Sequence, residues 1–119
     1  MAFGRFTMEM ANARVVIDYA HVAWVCADFT ATNAGSNDRM PSTSDFTMVR
    51  PSGAVSSNGS VTVDSGSGVT HVTDFMFPIL VPGGTATVTM CFRSETERGR
   101  VMVRYQPAAG KPQEWPLDF

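Results

Sequence analysis

Leucine is almost missing from this 119-residue chain, standing only at Leu80 and Leu117. Valine and threonine recur instead, and their branched Cβ favours pleated strands, so an all-β protein is expected. Charge is sparse as well. Charged residues make up 17% of the chain, too few for a disordered polyelectrolyte or a charge-rich helix bundle. The formal net charge of −2 offers nothing to phosphate backbones or anionic lipid, and nucleic acid is not an expected partner. No run approaches the ~20 apolar residues needed to cross a bilayer. The longest apolar stretches, Val22 to Ala27 and Phe75 to Val81, are strand-sized, so a soluble chain with no membrane-spanning segment is expected. With 44% apolar residues, the length suits one globular domain over residues 1–119. The segment Met1 to Phe6 lacks the basic stretch and apolar run of a secretory signal. Two expectations stay open: a cytosolic protein, or the mature part of an exported one.

Histidine is equally scarce, with only His21 and His71, and no H-E-x-x-H, G-x-S-x-G, phosphate-loop or calcium-loop pattern occurs. A blue-copper site needs a histidine and a methionine soon after the cysteine, whereas Cys91 is followed by Phe92-Arg93-Ser94-Glu95. No catalytic group, metal or cofactor is expected. His21 reads as a turn histidine, because no nucleophile can be placed beside it as the partner of a base. The eight methionines read as flexible core filler in preference to soft-metal ligands.

What the chain does contain is alternation. Period-two patterning broken by Gly, Pro, Ser and Asn clusters marks about seven to eight short strands, a count that fits an antiparallel sandwich. The candidate segments from which they are drawn are Arg5 to Met10, Arg14 to Tyr19, Val22 to Thr32, Phe46 to Val49, Ala54-Val55, Val61 to Val63, Thr70 to Val81, Thr85 to Arg93 and Arg100 to Gln106. Asn58-Gly59 is read as a two-residue hairpin turn, since a type I′ turn needs positive φ at both centres. The same residues, with Ser60, fit an N-glycosylation acceptor. Pro78 makes part of its stretch an edge strand, a bulge or a break in the ladder. The tail from Pro107 resists assignment: its prolines oppose a central strand, while Trp115 and Phe119 offer anchors.

The two cysteines match neither a zinc knuckle nor a CxxC redox site. Alternation puts Val25, Ala27, Phe29 and Ala31 on one face and Trp24, Cys26, Asp28 and Thr30 on the other. It likewise separates Ala86, Val88, Met90 and Phe92 from Thr87, Thr89, Cys91 and Arg93. Both cysteines therefore belong to the wetter faces of their strands. If those strands are neighbours, a Cys26–Cys91 disulfide follows; free thiols in a reducing compartment are the alternative.

Several segments resemble a known family: Val25-Cys26-Ala27-Asp28-Phe29-Thr30-Ala31-Thr32-Asn33, Asp45-Phe46-Thr47-Met48 before Pro51-Ser52-Gly53, Pro82-Gly83-Gly84-Thr85 leading to Met90-Cys91-Phe92, and Val101 to Tyr105. Together, over roughly residues 14 to 106, they are similar to the telokin-like extracellular domains of actinobacteria, some of which are secreted or lipoprotein-borne antigens. The resemblance implies an immunoglobulin-like β-sandwich, an exported non-enzymatic domain, and a disulfide, because some relatives carry cysteines at positions matching Cys26 and Cys91. Val88 departs from a glycine that family members often carry there. No active-site residue is carried over.

The expected function is contact with another protein or an envelope component through loops or an edge strand, outside the cell or in its envelope. Trp24, Arg93, Arg98 and Arg100 are the candidate surface contacts. The stretch from Arg93 to Arg100 otherwise reads as a solvated loop tip. An assembly module that adds a strand through the Pro78 edge is the alternative. A carbohydrate binder using Trp24 as a stacking platform is a third reading, against which stands a Trp24 that is simply covered.

Overall fold

Two of these segments, Ala23–Asn33 (β2) and Thr85–Arg93 (β7), organise the molecule by pairing with each other. They run antiparallel in a register that sets Cys26 against Cys91, Ala27 against Met90 and Phe29 against Val88. Alternation then delivers Val25, Ala27, Phe29, Ala31, Val88, Met90 and Phe92 to one buried face. This computed structural model describes residues 6–64, 69–71, 73, 76–94, 99–107 and 112–118.

Around that pair the chain lays down Phe6–Ile17 (β1), Phe46–Val49 (β3), Val55–Gly59 (β4), Arg100–Tyr105 (β8) and Gln113–Asp118 (β9). Thr62–Asp64 (β5) and Val69–His71 (β6) form a separate two-stranded hairpin. The seven main strands are hydrogen-bonded in the order β1-β2-β7-β4-β3-β8-β9, every neighbour antiparallel. Taken as β1-β2-β7-β4 facing β3-β8-β9, this is the strand arrangement of an immunoglobulin-like sandwich. β4 belongs to both layers. Val55 to Ser57 pair with β3, whereas Asn58 and Gly59 pair with Phe92 and Cys91 of β7.

The core between the layers is aromatic at its centre. Phe29 of one layer meets Phe46 (4.9 Å) and Trp115 (5.7 Å) of the other edge-on, and Phe46 also contacts Tyr105 at 4.7 Å. Such pairs contribute about 0.5–1.5 kcal/mol each beyond area burial. In β8 the alternation buries Val101, Val103 and Tyr105 and sends Arg100 and Arg104 outward, where they pair with Asp118 and Glu114 of β9.

At the seam between the outer strands β1 and β9 a side chain replaces the ladder. The Gln113 Nε2 donates to Met8 O, and Met8 N donates to Gln113 Oε1, both at 3.3 Å. The amide thus occupies the place of a peptide unit and draws the two edges together.

Several sequence expectations need correction. The first two anticipated strands are one, β1, interrupted by a bulge between Ala11 and Arg14 where Asn12 has φ 55°. The bulge inserts a residue and reverses parity: Met8 and Met10 face the core before it, whereas after it Val15 and Ile17 take that side of the sheet, opposite Val25 and Ala23, and stay exposed beyond the edge of the core. Asn58-Gly59 is not a turn, because both residues lie in β4. The turn from β3 to β4 is made by Pro51 to Gly53, closed by Arg50 N to Ala54 O at 2.8 Å, with Gly53 at φ 91°. Pro78 lies outside every strand, and of its stretch the described residues pair only at Val69–His71 and at the Arg39–Leu80 bridge. The tail does form a strand, β9, and Pro116 is accommodated because β9 is an edge.

Candidate functional site

Of the side chains that sequence reading singled out, Cys26, Cys91, Trp24 and Arg93 share the outer face of β2 and β7. Cys26 and Cys91 face each other directly in the ladder, with Cα atoms 4.0 Å apart, and are joined as a disulfide. The bridge staples neighbouring strands of one layer, unlike the inter-sheet bridge of antibody domains. The expectation of a wet location is overturned: both cysteines are 0% exposed. They sit on the face turned away from the main core, and a second small apolar cluster of Val61, Val16 and Trp24 encloses them there.

Each of those covers has a local cause. Val16 reaches the outer face because the β1 bulge reversed its parity, placing it opposite Trp24. Trp24 extends from β2 past β7 to β4, where a Cβ on Gly59 would stand 3.1 Å from Cη2 and Cζ3 of its ring. A strand glycine of this kind marks the close approach of another group. The indole Nε1 donates to Asp18 Oδ2 at 2.9 Å, while Asp18 Oδ1 accepts from the backbone N–H groups of Ala20 and Val22, both at 2.9 Å. These bonds, led by that of Val22, hold the Asp18 carboxyl below its ordinary range. They also fix the β1–β2 turn, in which His21 adopts φ 65°. Trp24 is thus partly buried and braced by internal contacts at both ends of its ring.

Beyond Cys26 the same face turns polar. Asn12 Nδ2 donates to Asp28 Oδ2 at 3.0 Å, Thr89 Oγ1 to Asp28 Oδ1 at 2.8 Å, and Arg14 lies 3.4 Å from the same oxygen. The Asn12 bond, followed by those of Thr89 and Arg14, lowers the Asp28 carboxyl below its usual range. Asn12 donates here from its left-handed backbone position, so the bulge and the carboxylate support each other.

The arginines are dispersed. Arg93 is exposed and lies opposite Trp24 in the β2–β7 ladder. Arg100 is exposed on β8, in the other layer, and forms two 3.1 Å bonds to Asp118. Arg98 lies outside the described residues, as do Glu95, Thr96 and Glu97 of the anticipated loop tip. Asn58 does not present a free amide for glycosylation: its Nδ2 donates to Thr43 O at 2.6 Å, bracing the 3-10 turn Thr43–Asp45. Among the described residues no group of three or more His, Cys, Asp or Glu is gathered to hold a metal.

Sequence reading missed Asp18, Gly59, Val61 and Asn33. The last is fully buried at the end of β2, donating to the carbonyls of Asn37 and Leu80 (2.8 Å each) and accepting from Gly35 N at 2.9 Å. It ties two loops to one strand end.

No family model and no curated protein matches the chain. A solved structure does: an uncharacterized β-sandwich protein from Clostridium difficile, 10% identical, with a TM-score of 0.62 over 99% of this chain and 89% of that one. At this identity the likeness establishes the β-sandwich fold alone. No helix among the described residues is long and apolar enough to cross a membrane.

Proposed function

We propose that this chain is an exported, non-catalytic β-sandwich domain that acts by contacting a protein or another component of the cell envelope. The paired Cys26 and Cys91 carry the reading, because disulfides persist in oxidising compartments and are rare where glutathione and thioredoxin keep thiols reduced. The segments similar to telokin-like extracellular domains support the same location. A rigid sandwich with loops at both ends is a common scaffold for binding.

Fractionation of cells that make the protein, with thiol blocking before mass measurement, tests location. Affinity capture from culture supernatant and envelope tests partnership. Oxidised protein outside the cytosol, with a reproducible envelope partner, is the expected result. Recovery only from the cytosol with both thiols reduced would refute the reading.

Assembly by strand addition is a second reading, favoured by β1. It is an edge strand, and Val15 and Ile17 on it are exposed. Concentration-dependent growth in light scattering would support it, and a strictly monomeric protein would dismiss it.

A further inference from the structure

The disulfide is sealed by covers of two kinds. Val16 and Trp24 belong to β1 and β2, within the seven-stranded sheet, so they leave only if a ladder opens. Val61 is different. It follows the end of β4 and precedes β5, lies outside both strands, and is 1% exposed over the bridge. Its backbone N–H donates to the Thr73 hydroxyl at 3.2 Å.

Reduction of a disulfide needs a thiolate to approach one sulfur along the S–S axis, so access limits the rate. Proteins open locally as well as globally, and segments outside the main ladders open at the lower cost. We propose that Val61 is a plug: its withdrawal, with the sheet intact, admits thiols to Cys26–Cys91. One side chain then sets the reactivity of the bond. The chemistry is two-step exchange with a dithiol. A thiolate of the reagent bonds to one cysteine sulfur, the S–S bond breaks, and the other cysteine leaves as a thiolate that takes up a proton. The reagent's second thiolate then attacks the mixed disulfide, freeing the first cysteine. The cystine gains two electrons, and the dithiol closes into its own disulfide.

The test measures reduction of the folded protein by excess dithiothreitol, with alkylation at intervals and mass readout. Parent, Val61→Ala and Val103→Ala are compared, and the global stability of each is taken from urea unfolding. Val103 is buried in β8, on the opposite layer, and is the same truncation away from the bridge. Val61→Ala is expected to accelerate reduction by about tenfold or more, with Val103→Ala within about twofold of the parent. In the parent, the rate should barely change with urea below the unfolding transition, because a local opening exposes little surface. Equal acceleration by both variants, no acceleration by Val61→Ala, or a parent rate that rises with the full urea dependence of unfolding overturns the proposal.

Discussion

The indole nitrogen of Trp24 donates to a carboxylate oxygen of Asp18 at 2.9 Å, so the turn between β1 and β2 and the roof of the disulfide are held by the same side chain. The Asp18 carboxyl titrates below its ordinary value of 3.8 in the folded state. Its contribution to stability is full above pH 3.8 and is lost as pH falls through the lower folded value. Acid titration should therefore change Trp24 fluorescence in that window. Asp18→Asn should melt at a lower temperature than the parent at pH 7, with the difference shrinking in acid; an undiminished difference would contradict this.

Gly59→Ala places a methyl group 3.1 Å from the Trp24 ring, which Asp18 prevents from turning aside freely. A loss of roughly 1–3 kcal/mol in urea unfolding is expected, the usual cost of overpacking. Pairing it with Trp24→Phe should recover part of that loss, since the smaller ring makes room.

Replacing both cysteines by alanine removes a bridge spanning 65 positions. Chain-entropy reasoning assigns about 4 kcal/mol to a closure of this length. Chemical denaturation of the double variant beside the oxidised parent checks the figure. Equal midpoints would show that the ladder alone fixes the strand pair.

Gln113→Ala deletes the clasp to Met8 and leaves two backbone groups of β1 without that partner. The expected cost is about 1–3 kcal/mol, that of partly buried polar groups left unsatisfied. Amide exchange should quicken at Met8 while the centre of β2 keeps its protection. Uniform loss of protection would mean that the seam has no stability of its own.

Tyr105 is buried against Phe46, and burial, reinforced by the charge of Asp45, pushes its phenol up to about 12 from the ordinary 10.0. The folded state thus prefers the neutral phenol. Stability should be intact below pH 10 and fall as pH rises towards 12, and Tyr105→Phe should flatten that fall. Absorbance titration with parallel melting curves checks both.

Local alternation was enough to read β2, β3, β7 and β8, because each of these strands keeps one uninterrupted frame from end to end. It also put Cys26 and Cys91 on one face. Their burial was hidden, since one of the residues that cover them, Val61, lies 30 or more positions from either cysteine, and another, Val16, reaches them only through the β1 bulge. The bulge at Asn12 split β1 in the reading for a physical reason: one inserted residue restarts the alternation, and a period test then sees two strands. Asn58-Gly59 carries the composition of a turn, yet its glycine serves the Trp24 ring, a demand that local sequence does not display. β9 was obscured by Pro116 within it, whose tolerance depends on edge position, a property of the assembled sheet.

Because β4 gives its first half to β3 and its second half to β7, neither layer can slide past the other without breaking hydrogen bonds in the same five-residue strand. Shear between the layers is resisted by covalent chain as well as by packing. A pull applied at the ends of the chain would reach both sheets together, and the domain should yield in one step.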